Sequence, residues 1–190
     1  MTAVNVPNLL TVVRIALAPV FLWLYVEGET DQALVVFAVA AATDVVDGLA
    51  ARILDQRTRL GAVLDAGADK LLTACALVAL AWRGQIPWWL PALVVGRDAV
   101  LVAGALLLRA IGRPVSISPT RVGKYATALL ATTVVLALFA ELGGVSPVRA
   151  VPWVAAFGML AGLCVVVSAV QYAVAFVRLA RAPPVAAARR

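Results

Sequence analysis

The stretch from Thr43 to Lys70, TDVVDGLAARILDQRTRLGAVLDAGADK, sets Asp44, Asp47, Asp65 and Asp69 among segments otherwise apolar enough to lie in a bilayer. A charged carboxylate near the middle of a membrane helix costs about 2.5–3.5 kcal/mol on insertion scales, so four of them demand a compensating partner. Carboxylate oxygens are hard ligands suited to Mg²⁺, Mn²⁺ or Ca²⁺. The chain has no histidine, and nothing near Cys75 or Cys164 has a metal-ligand spacing. A pair of divalent cations under four carboxylates would stabilise both the attacking and the leaving oxygen of a phosphoryl-type displacement. Acid-base work must fall to carboxylate, lysine, tyrosine or water.

Around the carboxylates the side chains are small. Gly48 follows Asp47 and Gly61 stands one helical turn before Asp65, so a diphosphate or nucleotide can come close to the backbone at both places. Ala51 lies one further turn along the aspartate face, and Arg52 offers a bidentate grip on phosphate.

These residues need helices to position them. Of 190 residues 64% are hydrophobic, above the roughly half of a soluble domain, which predicts an all-α, polytopic integral membrane protein. Six transmembrane helices are expected over about 9–26, 33–54, 61–82, 88–108, 121–142 and 153–178. Residues 1–182 then form one membrane domain, and 183–190 a disordered tail. The second and third spans make an antiparallel hairpin about the polar turn Asp55 to Arg59. Asp44 and Asp47 at i,i+3, and Asp65 and Asp69 at i,i+4, each share a helix face and come to one depth.

The net charge of +6 raises the question of nucleic acid, yet the basic residues are scattered between apolar segments and form no aromatic-lined groove, so no nucleic-acid partner is expected. They follow topology instead. Arg52, Arg57, Arg59, Arg109, Arg113, Arg121, Lys124, Arg178, Arg181, Arg189 and Arg190 fall on one side, and Arg83 and Arg149 on the other. The positive-inside rule puts both termini and the carboxylate turn at the cytoplasmic face of the cell's inner (plasma) membrane. Trp82, Trp88 and Trp89 read as an interfacial belt on the opposite side. Gly158 and Gly162 form a GxxxG that permits close helix packing, within the chain or between two copies in a homodimer.

Two plainer readings compete. An internal salt-bridge network would pair Asp69 with Lys70 or Arg52 and the other aspartates with Arg14 or Arg97, but it needs no glycines or alanine on that surface, and buried ion pairs rarely repay their desolvation. An ion-coupled transporter also uses intramembrane carboxylates, but the chain lacks matching halves with broken helices.

Written as DxxDGxxAR, eight residues, then GxxxDxxxD, the stretch is similar at every fixed position to the motif of the CDP-alcohol phosphatidyltransferase family. The resemblance implies that Asp44, Asp47, Asp65 and Asp69 hold two divalent cations, Mg²⁺ or Mn²⁺, and that Asp69 also accepts the proton of the incoming hydroxyl. It implies that Gly48, Ala51, Arg52 and Gly61 hold the CDP part of CDP-diacylglycerol, and that a phosphate-bearing acceptor alcohol displaces CMP. The tracts NVPNLLTVVRIALAP, WRGQIPWWLPALVVGRDAVL and SPTRVGKYAT resemble the branch of phosphatidylglycerophosphate and cardiolipin synthases, with Ala66 where many members of the branch carry proline. The acceptor is then glycerol 3-phosphate, with phosphatidylglycerol as the alternative and inositol phosphate behind both.

Arg97, Arg121 and Lys124 supply cations for the acceptor's phosphate, although Arg97 has Asp98 beside it and the other two also serve as topology signals. Arg14 has two readings, contact with a phosphate or snorkelling to the interface.

Overall fold

A computed structural model of the chain describes residues 6–53, 59–112, 120–141 and 147–181; for 6–8, 44–53, 59–60, 62–63, 147–151 and 181 it describes the backbone alone. The described residues form six α-helices: α1 Val6–Glu27, α2 Thr30–Ile53, α3 Arg59–Trp82, α4 Trp89–Ala110, α5 Arg121–Glu141 and α6 Pro147–Arg181. Each covers one expected span. Most of the expected turn Asp55 to Arg59 and the tail 183–190 lie outside the described residues.

Among the described residues, four segments are long and apolar enough to cross a membrane: Leu9–Glu27, Trp89–Ala110, Arg121–Glu141 and Pro152–Ala180. The expectation of six spans is thus met in helix number but only in part in apolarity. Of the other two, α3 falls short because of its charges, and α2 has side chains described only as far as Thr43. Over Thr30–Thr43 α2 is apolar as well, and α3 carries Asp65, Asp69 and Lys70 in its first half.

The chain divides into two compact units. The first takes in the residues up to Trp88 together with Val134–Val154. Here α1 packs against both α2 and α3. Ala18, Phe21 and Tyr25 of α1, Ala33 and Ala40 of α2, and Ala68, Ala76, Leu77, Ala79 and Leu80 of α3 are buried. The many alanines let backbones approach, as small residues do where lipid provides no hydrophobic drive. Phe21 fills the wider part, its ring centroid 5.2 Å from that of Phe37.

Short turns end α1 and α3. Gly28 (φ +94°) ends α1, with its own N–H donating to Tyr25 O at 3.3 Å and the Glu29 N–H to Leu24 O at 3.0 Å. Gly84 (φ +73°) repeats the pattern after α3, where the Gln85 N–H donates to Leu80 O at 2.9 Å. Both are left-handed caps in which a side chain would be strained. The second turn is also tied from outside. Arg83 Nη1 donates to Tyr25 O at 3.2 Å, its guanidinium lies 5.2 Å from the Tyr25 ring centroid, and Gln85 Nε2 donates to the Glu141 carboxylate. Arg83, read from sequence only as a topology signal, has a packing role as well.

The second unit takes in Trp89–Thr133 and the chain from Ala155 onward. Its contacts answer the question raised by the GxxxG motif. A Cβ on Gly162 would sit 2.6 Å from Trp89 Cζ3, and one on Gly158 would meet Leu90 at 3.4 Å and Thr133 at 3.7 Å. Both glycines serve packing within the chain. Gly104 of α4 does the same for the Phe176 ring, 2.5 Å from its would-be Cβ. Cys75 is buried, Cys164 half-buried, and both are free thiols.

Candidate active site

The carboxylate motif is carried by α2 and α3, the two helices that pack on α1. Asp47 stands six residues before Ile53, the end of α2, and Asp65 six residues after Arg59, the start of α3. At 1.5 Å per residue each lies about 9 Å along its helix from that end. The side chains of Asp44, Asp47, Gly48, Ala51 and Arg52 lie outside the described residues, so the site is built here from α1 and α3.

On α3, Asp65 and Asp69 share one face, Asp65 half-buried and Asp69 exposed. Between them Ala66 and Gly67 are exposed, and a Cβ on Gly67 would meet nothing within 4 Å. Gly61 lies one turn earlier and is half-buried.

Arg14 is where the structure goes beyond the two sequence readings. Its side chain is 0% exposed, and Nη1 donates to Asp65 Oδ1 at 2.9 Å. The guanidinium is a counter-charge to Asp65 seated in the α1–α3 core. A buried arginine is tolerable because the carboxylate accepts from it and the charge is matched. Asp65, with 48% of its side chain exposed, keeps much of its surface available.

Among the described residues no group of three or more His, Cys, Asp or Glu side chains stands ready to hold a metal ion. The donor chemistry nevertheless fits one kind of ion. Asp65 and Asp69 offer oxygen alone, and both free cysteines lie elsewhere, so the described part of the set suits a hard divalent cation.

The cations expected to bind an acceptor fall in the second unit. Arg97 of α4 is mostly buried. Its Nη1 donates to Asp98 Oδ1 at 2.9 Å and its Nη2 to Ser168 Oγ at 3.2 Å, and the guanidinium lies 5.6 Å from the Tyr172 ring centroid. Arg121 and Lys124 are exposed in the first turn of α5. Thr120 caps that helix, its Oγ1 accepting from the Gly123 N–H at 3.0 Å and its carbonyl from the Lys124 N–H at 3.1 Å. Ser168 and Tyr172 were missed by sequence reasoning. The one available signal was Ser168, Gln171 and Tyr172 interrupting the otherwise apolar run of α6.

The described helices and their carboxylates define an all-α protein with apolar, membrane-length segments and an oxygen-ligand motif divided between two helices that both pack on α1. The family model for CDP-alcohol phosphatidyltransferase matches residues 4–170, and the chain belongs to that family. Among curated proteins it is similar to the CDP-diacylglycerol–glycerol-3-phosphate 3-phosphatidyltransferase of Pseudomonas fluorescens, 40% identical over 146 residues, covering 70% of this chain and 72% of that one. It is 37% identical over 116 residues to the cardiolipin synthase (CMP-forming) of Streptomyces coelicolor, covering 58% and 54% of the two chains. It is also 37% identical over 140 residues to a cardiolipin synthase (CMP-forming)/mitochondrial hydrolase fusion protein of Schizosaccharomyces pombe, covering 66% and 24%. The chain thus spans about half the length of the bacterial cardiolipin synthase and about a quarter of the fusion protein.

Proposed function

We propose that the protein transfers the phosphatidyl group of CDP-diacylglycerol to glycerol 3-phosphate, releasing CMP. The observation that carries this reading is the complete eight-position motif spread over α2 and α3, the two helices that share α1 as a packing partner. The choice of glycerol 3-phosphate follows the Pseudomonas relative, which is matched over more than two thirds of both chains.

In this reading Asp44, Asp47, Asp65 and Asp69 hold two divalent cations, Mg²⁺ or Mn²⁺, which when bound neutralise charge on the diphosphate and the leaving CMP. Gly48, Ala51, Arg52 and Gly61 accommodate the CDP part. The acceptor hydroxyl attacks the phosphorus that bears the diacylglycerol, its proton passes to the Asp69 carboxylate, and the bond to the CMP oxygen breaks. No covalent enzyme intermediate is needed for this single displacement. Arg14 keeps Asp65 oriented from beneath, and Arg97, Arg121 and Lys124 attract the acceptor's phosphate.

The same reading places all six helices across the inner (plasma) membrane as one domain, both termini and the carboxylates at the cytoplasmic face, where glycerol 3-phosphate and the released CMP are soluble. Charge asymmetry supports this orientation. A second reading, phosphatidylglycerol as acceptor to give cardiolipin, is favoured by the cardiolipin synthases among the relatives.

The deciding experiment mixes purified protein, CDP-diacylglycerol and Mg²⁺ or Mn²⁺ with glycerol 3-phosphate, phosphatidylglycerol or inositol phosphate, and measures CMP. Release with glycerol 3-phosphate is expected. Release with phosphatidylglycerol alone selects the second reading, and release with none of the three defeats the transferase assignment.

A further inference from the structure

We propose that Ser168 and Tyr172 are positioning residues for the acceptor, fixing the Arg97 guanidinium against the first turn of α5 at Gly123, where a side chain would crowd it. The proposal rests on the reading that an acceptor phosphate is bound by Arg97, Arg121 and Lys124.

Asp98 cannot set the direction of Arg97 by itself. The two are adjacent on α4, and neighbouring side chains on a helix diverge by about 100°. Direction comes from α6. Ser168 and Tyr172 stand four residues apart on one face of that helix, 0% and 5% exposed. One accepts from Arg97 Nη2 and the other places its ring beneath the guanidinium, a cation–π arrangement worth most where water is excluded.

The same tyrosine also reaches α5. Its Oη accepts from the Thr120 N–H at 3.1 Å, so the capping residue of α5 and the guanidinium of α4 are referred to one ring on α6. Between them lies Gly123. A Cβ there would be 3.0 Å from Arg97 Nη2, 3.1 Å from Thr120 Oγ1 and 3.2 Å from Ser168 Oγ. The guanidinium occupies the space a side chain would need.

This arrangement is electrostatically unfavourable on its own. The N-terminal turn of a helix carries the positive end of its dipole. Here it also bears Arg121 and Lys124 and has a third cation pressed against its backbone, with Asp98 the carboxylate paired to that cation. Arg97 Nε is buried and has no hydrogen-bond partner among the described residues. A surplus of positive charge at a helix start with an unused buried donor suits an anion, and a phosphate of the acceptor supplies the charge and the acceptor oxygens.

The test uses the full chain in lipid micelles, with CMP release followed as glycerol 3-phosphate and CDP-diacylglycerol are varied separately. Ser168→Ala and Gly123→Ala should each raise the glycerol 3-phosphate KM about fivefold to tenfold while the CDP-diacylglycerol KM stays within twofold. Tyr172→Phe, which keeps the ring and loses the hydroxyl, should raise the acceptor KM less than Tyr172→Leu, which loses both. Ser168→Ala removes one oxygen and Gly123→Ala adds one carbon, so a folding failure of one leaves the other to decide. Wild-type turnover with an acceptor KM unmoved in the folded variants overturns this assignment alone, as does a parallel rise of both KM values, which marks a merely structural role. Absence of CMP release by the wild type with every acceptor overturns the underlying reading and this assignment with it.

Discussion

Replacing Arg14 by methionine tests the α1–α3 core and the motif together. The side chain is fully buried, but its partner Asp65 is half-exposed, so the pair lies between two limits. Breaking a fully buried pair costs about 3–5 kcal/mol, and an exposed pair is worth about 0.2–1 kcal/mol. Asp65 can rehydrate once its partner is gone, and methionine refills much of the volume, which sets the expected loss at about 1–3 kcal/mol. For a chain of this length that lowers Tm by about 2–12 °C. The assay is thermal unfolding in detergent of wild type, Arg14→Met, Asp65→Asn and the double variant. Arg14 has further interactions besides the one with Asp65, so the double variant should be less destabilised than the sum of the singles by at least about 0.5 kcal/mol, without the Arg14 effect vanishing. Arg14→Met melting within a degree of wild type, or strict additivity in the cycle, would refute the reasoning.

Three further outcomes are expected. Asp44→Asn or Asp65→Asn should lower kcat for CMP release at least about a thousandfold through loss of a metal ligand, and full activity of either would remove that residue from the metal set. Lys124→Ala should raise the acceptor KM about tenfold with little change in the KM for CDP-diacylglycerol, checked by the same two-substrate kinetics. Gly162→Ala drives a carbon to within 2.6 Å of the Trp89 ring, so it should cost about 1–3 kcal/mol in thermal unfolding, and Trp89→Leu in the same chain should relieve part of that loss.

Much of the architecture is legible without coordinates because membrane helices announce themselves by length and apolarity. The aspartate motif is equally legible: four carboxylates in an apolar chain are an energetic anomaly wherever the helices pack. Periodicity alone places Asp65 and Asp69 on one face of α3. What the sequence could not decide were the partners of the long cations. Arg14 has enough reach for a phosphate, an interface or a carboxylate, and its choice of Asp65 depends on α3 lying against α1. Gly158 and Gly162 were compatible with an interface inside the chain or between copies until Trp89 and Leu90 were found against them.

The sequence by itself therefore determined the family, the helices and the carboxylates, since these rest on local spacing and on the cost of charge in an apolar chain. Only the tertiary structure decided that Asp65 is held by an arginine with no exposure, and that Arg97 is shared by Asp98, Ser168 and the ring of Tyr172. Those pairings join residues 51, 71 and 75 positions apart, and no helical period links such distances. They exist because a flexible cationic side chain takes the acceptor that packing brings within reach.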